Sequence, residues 1–309
     1  MDGAERRVGD EAMKVLILGG SGMLGHMLWR TLTARFDTRV TFRQSPTGYA
    51  RLGVFDPARS LGHVSAQDFD GVVRALAAVR PDVVVNCVGI VKQDAAAKDP
   101  YQSINTNALF PHRLAQACVA AGGRLIHIST DCVFTGRRGN YKETDTADAE
   151  DIYGRTKWLG EVDYERCLTI RTSMIGRELQ GAHGLVEWFL SQRGKTVRGF
   201  KRAVFSGFTT EALASIIGDV IADRDELRGV WHVAADPISK FDLLTLVEEA
   251  YRLDIEIEPD ETFVCDRSLD GERFRQETGF VPPSWPEMIE RMARDATPYE
   301  EMRRNYADR

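Results

Sequence analysis

Short apolar runs alternate with amphipathic segments along the first part of the chain. The runs predict buried strands over residues 14–18, 38–42, 82–88, 125–128 and 167–171. Between them, apolar residues that recur every three or four positions predict helices over residues 23–35, 70–79, 104–121 and 153–166. Strands that alternate with helices build a parallel, doubly wound α/β sheet, which is the fold class that we expect.

The alternation loosens after residue 171. Helices are expected over residues 185–192, 210–224, 240–252 and 286–295, with short strands over 230–233 and 255–258. We therefore expect a sheet domain over residues 13–175, to which later segments return, and a smaller lobe over most of residues 176–309. The polar residues 1–12 are interpreted as a disordered tail before the first strand.

Composition narrows the class of protein. The formal net charge of -6 and the absence of basic runs argue against nucleic acid as a partner. No apolar run approaches the roughly 20 residues that a membrane-spanning helix needs, and the N-terminus does not resemble a signal peptide. The five cysteines are scattered without a CxxC pair, which is typical of a reduced intracellular protein. We therefore expect a cytoplasmic protein without a membrane segment.

Glycines follow the first predicted strand at the spacing GxxGxxG, where the first helix begins. A dinucleotide pyrophosphate must approach the backbone closely at such a turn, and the helix N-terminus stabilises its negative charge. The turn therefore predicts a dinucleotide site, with an ordinary glycine-rich turn as the alternative. The candidate cofactor contacts in this turn are Gly19, Ser21, Gly22, Met23, Leu24 and Gly25.

Two later positions also bear on the cofactor. Arg43 follows the second strand, where an acidic residue would favour NADH; a guanidinium suits the 2′-phosphate of NADPH. We therefore expect NADPH, with NADH possible and a solvated surface arginine as the alternative interpretation. Asn86, at the end of a strand, is placed either to contact a ligand or to cap the strand. Further cofactor contacts are expected at Cys87, Val88 and Gly89.

A hydroxyl and a YxxxK pair follow the glycine turn. Thr130 ends the segment RLIHIST, and Tyr153 and Lys157 project from one face of the next helix. A lysine cation one turn away is expected to lower the tyrosine pKa from its usual value of about 10. Thr130 can hydrogen-bond a substrate carbonyl, to which a cofactor delivers hydride and Tyr153 delivers a proton. The three residues therefore predict an NAD(P)H-dependent reductase of a carbonyl group.

These residues lie in segments that resemble the extended short-chain dehydrogenase/reductases, and within them the dTDP-4-dehydrorhamnose reductase group. The segments include KVLILGGSGMLG, RPDVVVNCVG, ISTDCVFTGRRGNYKETD and YGRTKWLGE, and together they cover most of residues 14–178. The resemblance implies a Rossmann domain, NADPH or NADH, and a 4-keto-6-deoxy sugar on a nucleoside diphosphate, in deoxysugar or surface polysaccharide biosynthesis. It also implies Thr130, Tyr153 and Lys157 as catalytic residues and Asn105 near the cofactor or a proton relay.

Cys132 departs from that group, which usually carries tyrosine at this position. It resembles the cysteine that epimerase-reductases similar to GDP-fucose synthase use with a later histidine, for which His183 is the candidate. A 4,6-dehydratase is set aside because the pair Asp131-Cys132 lacks the required glutamate. A non-catalytic regulatory subunit, similar to the methionine adenosyltransferase β subunit, is an alternative of another class, but it would not need the intact catalytic residues.

The nucleotide sugar is expected between the carboxyl edge of the sheet and the smaller, substrate-binding lobe. Lys201, Arg202 and Arg267 are candidate cations for its diphosphate, with an ordinary surface charge as the alternative for each. Trp188 is expected in the core rather than in the pocket. No metal is expected, because no grouping of His, Asp and Glu has metal-site spacing. A homodimer is the expected assembly.

Overall fold

The computed structural model describes residues 12–50, 52–92 and 94–307, so the predicted tail lies outside the described residues except for Ala12. In chain order the strands are β1 (Lys14–Leu18), β2 (Asp37–Thr41), β3 (Ser60–Leu61), β4 (Val83–Asn86), β5 (Arg124–Thr130), β6 (Cys167–Thr172), β7 (Met174–Ile175), β8 (Thr196–Phe200), β9 (Ala203–Phe205), β10 (Phe208–Thr209), β11 (Gly229–His232), β12 (Ile238–Ser239), β13 (Glu256–Asp260) and β14 (Cys265–Asp266).

The α-helices are α1 (Met23–Leu32), α2 (Pro46–Ala50), α3 (Phe69–Val79), α4 (Pro100–Ser103), α5 (Phe110–Ala120), α6 (Ile152–Leu159), α7 (Leu185–Leu190), α8 (Thr210–Asp223), α9 (Lys240–Tyr251), α10 (Glu272–Thr278), α11 (Trp285–Ala293) and α12 (Tyr299–Ala307). A π-helical segment, Ile104–Leu109, joins α4 to α5, and a 3₁₀ turn, Asp131–Val133, follows β5.

Seven parallel strands form the central sheet, in the spatial order β11-β6-β5-β4-β1-β2-β3. The predicted parallel, doubly wound α/β fold is therefore confirmed. β1 pairs with β2 on one side and β4 on the other, so the strand order reverses between β1 and β4. Sheets of this kind bind ligands in the crevice at such a reversal, beyond the carboxyl ends of the strands. Thr130 and the glycine turn lie at this edge.

Residues of β1 alternate between two hydrophobic cores, one on each face of the sheet. Val15 and Ile17 pack into the core that includes residues of α1 and α8, while Leu16 and Leu18 pack into the core that includes residues of α3 and α5. All four side chains are fully buried. Burial on both faces explains why this strand is an uninterrupted apolar run in the sequence.

The chain beyond β6 returns to the sheet and also builds a smaller lobe. β11 pairs in parallel with β6, and α8 packs against α1. The lobe contains the parallel pair β8 and β13 and a three-stranded sheet in the order β12-β9-β14. These contacts place β11 and α8 with the sheet domain, while a domain division at residue 175 stays a prediction.

One predicted helix is too long, and several elements of the structure are not predicted. The helix expected over residues 153–166 ends at Leu159, because Gly160 caps it and packs against the backbone of Asn107. A Cβ at Gly160 would lie 1.9 Å from the carbonyl oxygen of Asn107. The sequence pattern does not predict β8, β9, β10, β14, α2, α10 or α12. Most are too short to establish a period, and β8 (TVRGF) buries only alternate residues around Gly199.

Candidate active site

The glycine turn after β1 is packed too closely to accept side chains at most of its positions. A Cβ on Gly25 would lie 2.1 Å from the carbonyl oxygen of Gly19, and a Cβ on Gly20 would lie 2.1 Å from Cγ2 of Val40. Gly19 has φ +85°, which favours glycine. A Cβ on Gly22 would meet nothing closer than 3.4 Å. The turn therefore depends on Gly25 and Gly20 more than on Gly22, although Gly20 is not among the predicted contacts.

The same turn offers backbone N–H groups to an anion. Gly22 is the N-cap of α1, no side chain caps the helix, and its first turn carries no acidic residue. The first N–H groups of a helix lack partners within the helix, and the helix dipole favours negative charge there. Leu24 can offer only its backbone, because its side chain is buried in the core. The arrangement fits a pyrophosphate group.

Arg43 is exposed and lies two residues beyond Thr41, the last residue of β2. The backbone N–H of Gly20 donates to the carbonyl oxygen of Thr41 at 2.9 Å. Asp37 begins β2 and forms an ion pair with Arg39, so it lies at the strand end remote from the turn. The end of β2 nearest the turn therefore carries a cation and not an acid.

Asn86 caps the end of β4, which is the structural alternative given for it above. Its Oδ1 accepts a hydrogen bond from the Val88 N–H at 3.1 Å, and its Nδ2 lies 3.0 Å from Nδ1 of His127. The side chain is fully buried. Cys87 and Val88 lie against Gly19, since a Cβ there would be 3.2 Å from the carbonyl carbon of Cys87 and 3.3 Å from Cγ2 of Val88. Cys87 and Val88 therefore border the glycine turn, while Asn86 shapes the loop; the contact of Cys87 and Val88 with a cofactor stays a prediction.

A second asparagine, which sequence reasoning missed, holds the loop after β4. Asn107 accepts a hydrogen bond from the Ile90 N–H at 2.8 Å and donates one to the Ile90 carbonyl at 3.0 Å. Gly89 lies beside it, because a Cβ there would be 3.4 Å from Oδ1 of Asn107. Asn105, the predicted residue, is half-buried in the π-helical segment. π-helical turns are frequent at functional sites.

Thr130, Tyr153 and Lys157 are brought together at the end of β5. Oγ1 of Thr130 accepts a hydrogen bond from the Cys132 N–H at 3.1 Å and donates one to Oδ1 of Asp131 at 3.1 Å. A hydrogen bond with the Thr130 side chain also acts on the pKa of the Tyr153 hydroxyl. The ammonium of Lys157 donates to the carbonyl oxygen of Ile128, on β5, at 2.8 Å. The strand end therefore collects two hydroxyl groups and one amine.

The predicted lowering of the Tyr153 pKa is not found. Burial raises the pKa of Tyr153 above its ordinary value, and Cys132 acts in the same direction when its thiol is ionised; the hydrogen bond with Thr130 opposes them. Lys157 instead directs its amine at Ile128. Burial lowers the pKa of Lys157 to about 8, while the charges of Glu161 and Cys87 raise it. The tyrosine is therefore a protonated phenol at neutral pH.

A cavity of about 350 Å³ opens beside Thr130, between β5 and the smaller lobe. Its polar lining includes Asp131, Cys132, Arg267 and Lys240. Aromatic rings complete its wall, contributed by Trp188, Phe200, Phe205 and Phe263. Trp188 was expected in the core; it is 39% exposed and lines the cavity, because α7 turns this face away from the core that buries Val186 and Phe189.

The three predicted substrate cations are separated by the structure. Arg267 lines the cavity and donates from Nε to the carbonyl oxygen of Phe134 at 2.8 Å. Lys201 and Arg202 are exposed in the turn between β8 and β9 and are not among the lining residues. Arg198 and Lys240 line the cavity instead. The sequence alone gives no signal for Lys240, because only the lobe's fold brings α9 to β5.

Cys132 and His183 do not share the cavity. Cys132 lines it, whereas His183 is exposed in the turn before α7, where its N–H donates to Oε2 of Glu178 at 2.9 Å. Burial raises the pKa of Cys132 to about 12, and the Asp131 charge adds to this effect. The thiol is therefore protonated at neutral pH, and the structure does not bring His183 to the cavity lining beside Cys132. A cysteine–histidine pair for epimerisation stays a prediction.

The described residues offer neither a membrane-spanning helix nor a metal-binding cluster. None of the helices in residues 12–50, 52–92 and 94–307 is long and apolar enough to cross a membrane. In the same part of the chain, no group of three or more His, Cys, Asp and Glu side chains could hold a metal ion. Two buried histidines serve the fold. His127 bonds through Nδ1 to Asn86, and His232 bonds through its two ring nitrogens to Tyr141 and Arg171.

Comparison with known proteins agrees with this geometry. A family model described as the RmlD substrate binding domain matches residues 13–297. The dTDP-4-dehydrorhamnose reductase of Streptomyces griseus is 37% identical over 147 residues, which are 47% of this chain and 43% of that protein. The reductase of the same name from Shigella flexneri is 27% identical over 305 residues, covering 91% and 97% of the two chains.

The chain spans less than half the length of the Streptomyces relative that it matches. Among solved structures, that of dTDP-4-dehydrorhamnose reductase from Bacillus anthracis in complex with NADP superposes with a TM-score of 0.74 at 22% identity, covering 91% of this chain and 98% of that one. At this identity the superposition establishes a shared fold.

Proposed function

Since the chain belongs to the RmlD substrate binding domain family, we propose that it is an NADPH-dependent reductase of a nucleotide-linked 4-keto-6-deoxy sugar. The observation that carries the proposal is the convergence of Thr130, Tyr153 and Lys157 at the end of β5, beside a cavity walled by aromatic rings and cations. Two hydroxyl groups near a buried amine are suited to hold and protonate a carbonyl oxygen. The names of the full-length relatives support the same reaction.

The glycine turn, Cys87 and Val88 would hold the dinucleotide, which supplies hydride when bound. The fit rests on the tight turn, in which Gly25 packs directly against the backbone of Gly19, and on the uncapped first turn of α1. Arg43, exposed beyond β2, suits a 2′-phosphate better than a 2′-hydroxyl. The Bacillus anthracis reductase is described with NADP, which also supports NADPH over NADH.

Tyr153 is the proton donor in this proposal. Its raised pKa keeps the hydroxyl protonated near neutral pH, which is the state needed to protonate a ketone oxygen as that oxygen gains negative charge. Thr130 holds the ketone oxygen once its hydroxyl turns from Asp131. Lys157 would stabilise the phenolate that is left after proton transfer once its ammonium turns from the Ile128 carbonyl towards Tyr153.

The cavity accounts for the substrate class. Lys240 and Arg267 supply two cations near Asp131, while Arg198 is already paired with Asp260 at 3.2 Å. The aromatic wall suits a nucleobase, and the cations Lys240 and Arg267 suit a diphosphate. A sugar joined to that diphosphate would extend towards Cys132 and Thr130 at the end of β5.

The test is oxidation of NADPH by the purified protein with a panel of 4-keto-6-deoxy sugars linked to different nucleoside diphosphates. Tyr153→Phe should abolish turnover and leave NADPH binding intact, because only the hydroxyl is removed. Tyr164→Phe is the matched control, since its hydroxyl bonds to His112 on the outside of the fold. Full activity of Tyr153→Phe would refute the proposed proton donor.

The epimerase-reductase and the regulatory subunit are weaker proposals. Epimerisation would need an acid or base other than His183, which lies outside the cavity lining. The reduction assay in deuterated water distinguishes it, because carbon-bound deuterium beside the former ketone appears only if that proton exchanges. A regulatory subunit would bind NADPH without oxidising it.

A cytoplasmic homodimer completes the proposal. Apolar side chains are exposed on neighbouring helical segments, and such patches often mark interfaces. They are Tyr101 and Ile104 near α4, Leu109 before α5, and Trp158 and Leu159 on α6. Sedimentation of the purified chain measures the assembly, and Trp158→Glu should shift a dimer towards monomer.

A further inference from the structure

The C-terminal residues 295–303, which we call the strap, cross from the glycine turn to the cavity side of the molecule. Most of the strap lies beyond the family match, which ends at residue 297. Tyr299 is 1% exposed, and its ring packs edge-on against His26 of α1 with the ring centres 5.7 Å apart. The burial of this tyrosine and its packing against His26 indicate that the strap docks specifically on α1.

One end of the strap reaches the glycine turn through His26. Nε2 of His26 lies 3.2 Å from the Tyr299 hydroxyl, and Nδ1 lies 2.9 Å from the carbonyl oxygen of Gly22. A carbonyl only accepts, so Nδ1 is the protonated nitrogen in this contact. Gly22 is the N-cap of α1, the residue at which the turn becomes the helix. Tyr299 therefore contacts the side chain that fixes the end of the turn.

Ionic contacts hold Tyr299 in this place. The single proton of its hydroxyl serves two acceptors, Oδ2 of Asp295 at 2.9 Å and Nε2 of His26 at 3.2 Å. Arg30 of α1 forms two hydrogen bonds with the same carboxylate at 2.7 and 3.0 Å. The guanidinium of Arg177 lies 4.7 Å from the centre of the Tyr299 ring. These contacts join the strap to α1 and to the segment after β7.

The other end of the strap reaches the cavity wall through Arg303. Arg303 lies one helical turn beyond Tyr299, so both side chains project from one face of α12. Its NH1 lies 2.7 Å from Oε1 of Glu187 and donates to the carbonyl oxygen of Glu178 at 3.0 Å. Glu187 belongs to α7 and is 3% exposed. Arg303 is therefore a buried contact of the helix that carries Trp188.

Glu178, whose carbonyl oxygen accepts from Arg303, also contacts the start of α7. Its carboxylate accepts hydrogen bonds from the N–H groups of His183 and Gly184, at 2.9 and 3.0 Å. Gly184 is the N-cap of α7, and Leu185 and Trp188 of that helix line the cavity. The strap thus touches one element on the cofactor side and one on the substrate side of the proposed active site.

We propose that the strap positions both subsites at once, with Tyr299 acting on the glycine turn through His26 and Arg303 acting on the cavity wall through Glu178 and Glu187. Both are positioning residues, because neither reaches the cavity or the turn with its own side chain. The inference rests on the proposed function for its kinetic consequence. Its structural consequence does not depend on any ligand.

The experiment compares Tyr299→Phe and Arg303→Met in the full chain, with Arg304→Met, an exposed position on the same helix, as the matched control. Tyr299→Phe should raise the Kd for NADPH about fivefold, the effect of losing the one hydrogen bond that reaches His26, and leave the KM for the keto-sugar nucleotide unchanged. Arg303→Met should raise the KM for the keto-sugar nucleotide and leave the Kd for NADPH unchanged. Arg303→Lys should raise that KM less than Arg303→Met does, because it keeps the positive charge. Arg304→Met should match the wild type in both.

Amide hydrogen exchange separates this inference from the proposed function. Exchange should quicken over residues 19–26 in Tyr299→Phe and over residues 178–190 in Arg303→Met, whether or not the protein reduces any sugar. A wild type that binds no NADPH would refute the proposed function and leave this measurement decisive. The inference is overturned if both variants only lower the melting temperature, with exchange in these segments, Kd and KM all unchanged.

Discussion

The Lys157 ammonium donates a hydrogen bond to the backbone carbonyl oxygen of Ile128 at 2.8 Å. Ile128 lies on β5 two residues before Thr130, so this bond ties α6 to the strand end that carries the other proposed catalytic hydroxyl. The charge of Lys157 then depends on two opposed effects, because burial lowers its pKa to about 8 and the Glu161 charge raises it.

The rate of reduction should therefore fall as pH rises through about 8, where Lys157 loses its proton. Glu161→Gln should move this alkaline limb to lower pH, since it removes the charge that raises the pKa of Lys157. The measurement is the pH profile of kcat/KM for both proteins. An unchanged limb in Glu161→Gln would contradict the assignment of that limb to Lys157.

Glu161→Gln should also lower the free energy of unfolding, so the stability of this variant is measured as well. Glu161 is paired with Arg171 at 2.7 Å, and both side chains are 6% exposed. Breaking a buried pair of this kind costs about 3–5 kcal/mol because a buried charge is left without its partner. The profile should therefore be recorded well below the melting temperature of the variant. Arg171→Met is the control that breaks the pair and retains the Glu161 charge.

Two glycines of the turn after β1 should differ in how they tolerate substitution by alanine, so one variant serves as the control for the other. Gly25→Ala should abolish NADPH binding, because the new Cβ would lie 2.1 Å from the carbonyl oxygen of Gly19 and the turn must open. Gly22→Ala should bind NADPH within a few-fold of the wild type, since its Cβ has 3.4 Å of clearance. Titration of NADPH against both variants checks this. Equal affinities would contradict the steric argument.

Sequence and structure agree where a local pattern determines the outcome. β1 is predicted to the residue, because burial on both faces produces an uninterrupted apolar run. The order of strand end and helix along the chain predicts that Thr130 and Lys157 lie close together, and the bond from Lys157 to Ile128 on β5 agrees with this. Their catalytic role stays a prediction. Periodicity cannot give the direction of the Tyr153 pKa, because that depends on burial and on the direction of the Lys157 amine.

The predictions from sequence differ from the structure mainly where segments that are distant in the chain come together. Lys240 comes close to Asp131 and Cys132 only because the smaller lobe folds back to the end of β5. Lys201 looks equally suitable in the sequence and lies outside the cavity lining. The position of His183 could not be predicted for the same reason, since it is determined by a hydrogen bond to Glu178 and not by a local sequence pattern.

Lys240 should be a substrate-binding cation. Its ammonium lies 4.0 Å from the centre of the Phe205 ring and faces the cavity. Lys240→Met should raise the KM for the nucleotide sugar about tenfold or more, as expected for the loss of a charged hydrogen bond, with a smaller effect on kcat. Lys201→Met is the control, because this lysine lies over the Phe241 ring outside the cavity lining. Equal KM values in the two variants would contradict the assignment.

The buried His26 should make stability depend on pH. Burial lowers its pKa from 6.5 to about 4, and the charges that face it are those of Arg30 and Asp295, with Tyr299 as its hydrogen-bond partner. In the unfolded chain the imidazole takes up a proton near pH 6.5, while in the folded protein it stays neutral until about pH 4. The unfolded state therefore binds more protons in this window, and the free energy of unfolding falls as pH falls.

The loss attributable to this one group is roughly 3 kcal/mol over the whole window. Urea unfolding of the wild type and of His26→Gln at several pH values from 7 to 4 measures it, with His183→Gln as the exposed control. His26→Gln should start less stable at pH 7, since its contact with Gly22 changes, and should lose less stability on acidification. Parallel curves for wild type and His26→Gln would show that His26 is not the group that titrates.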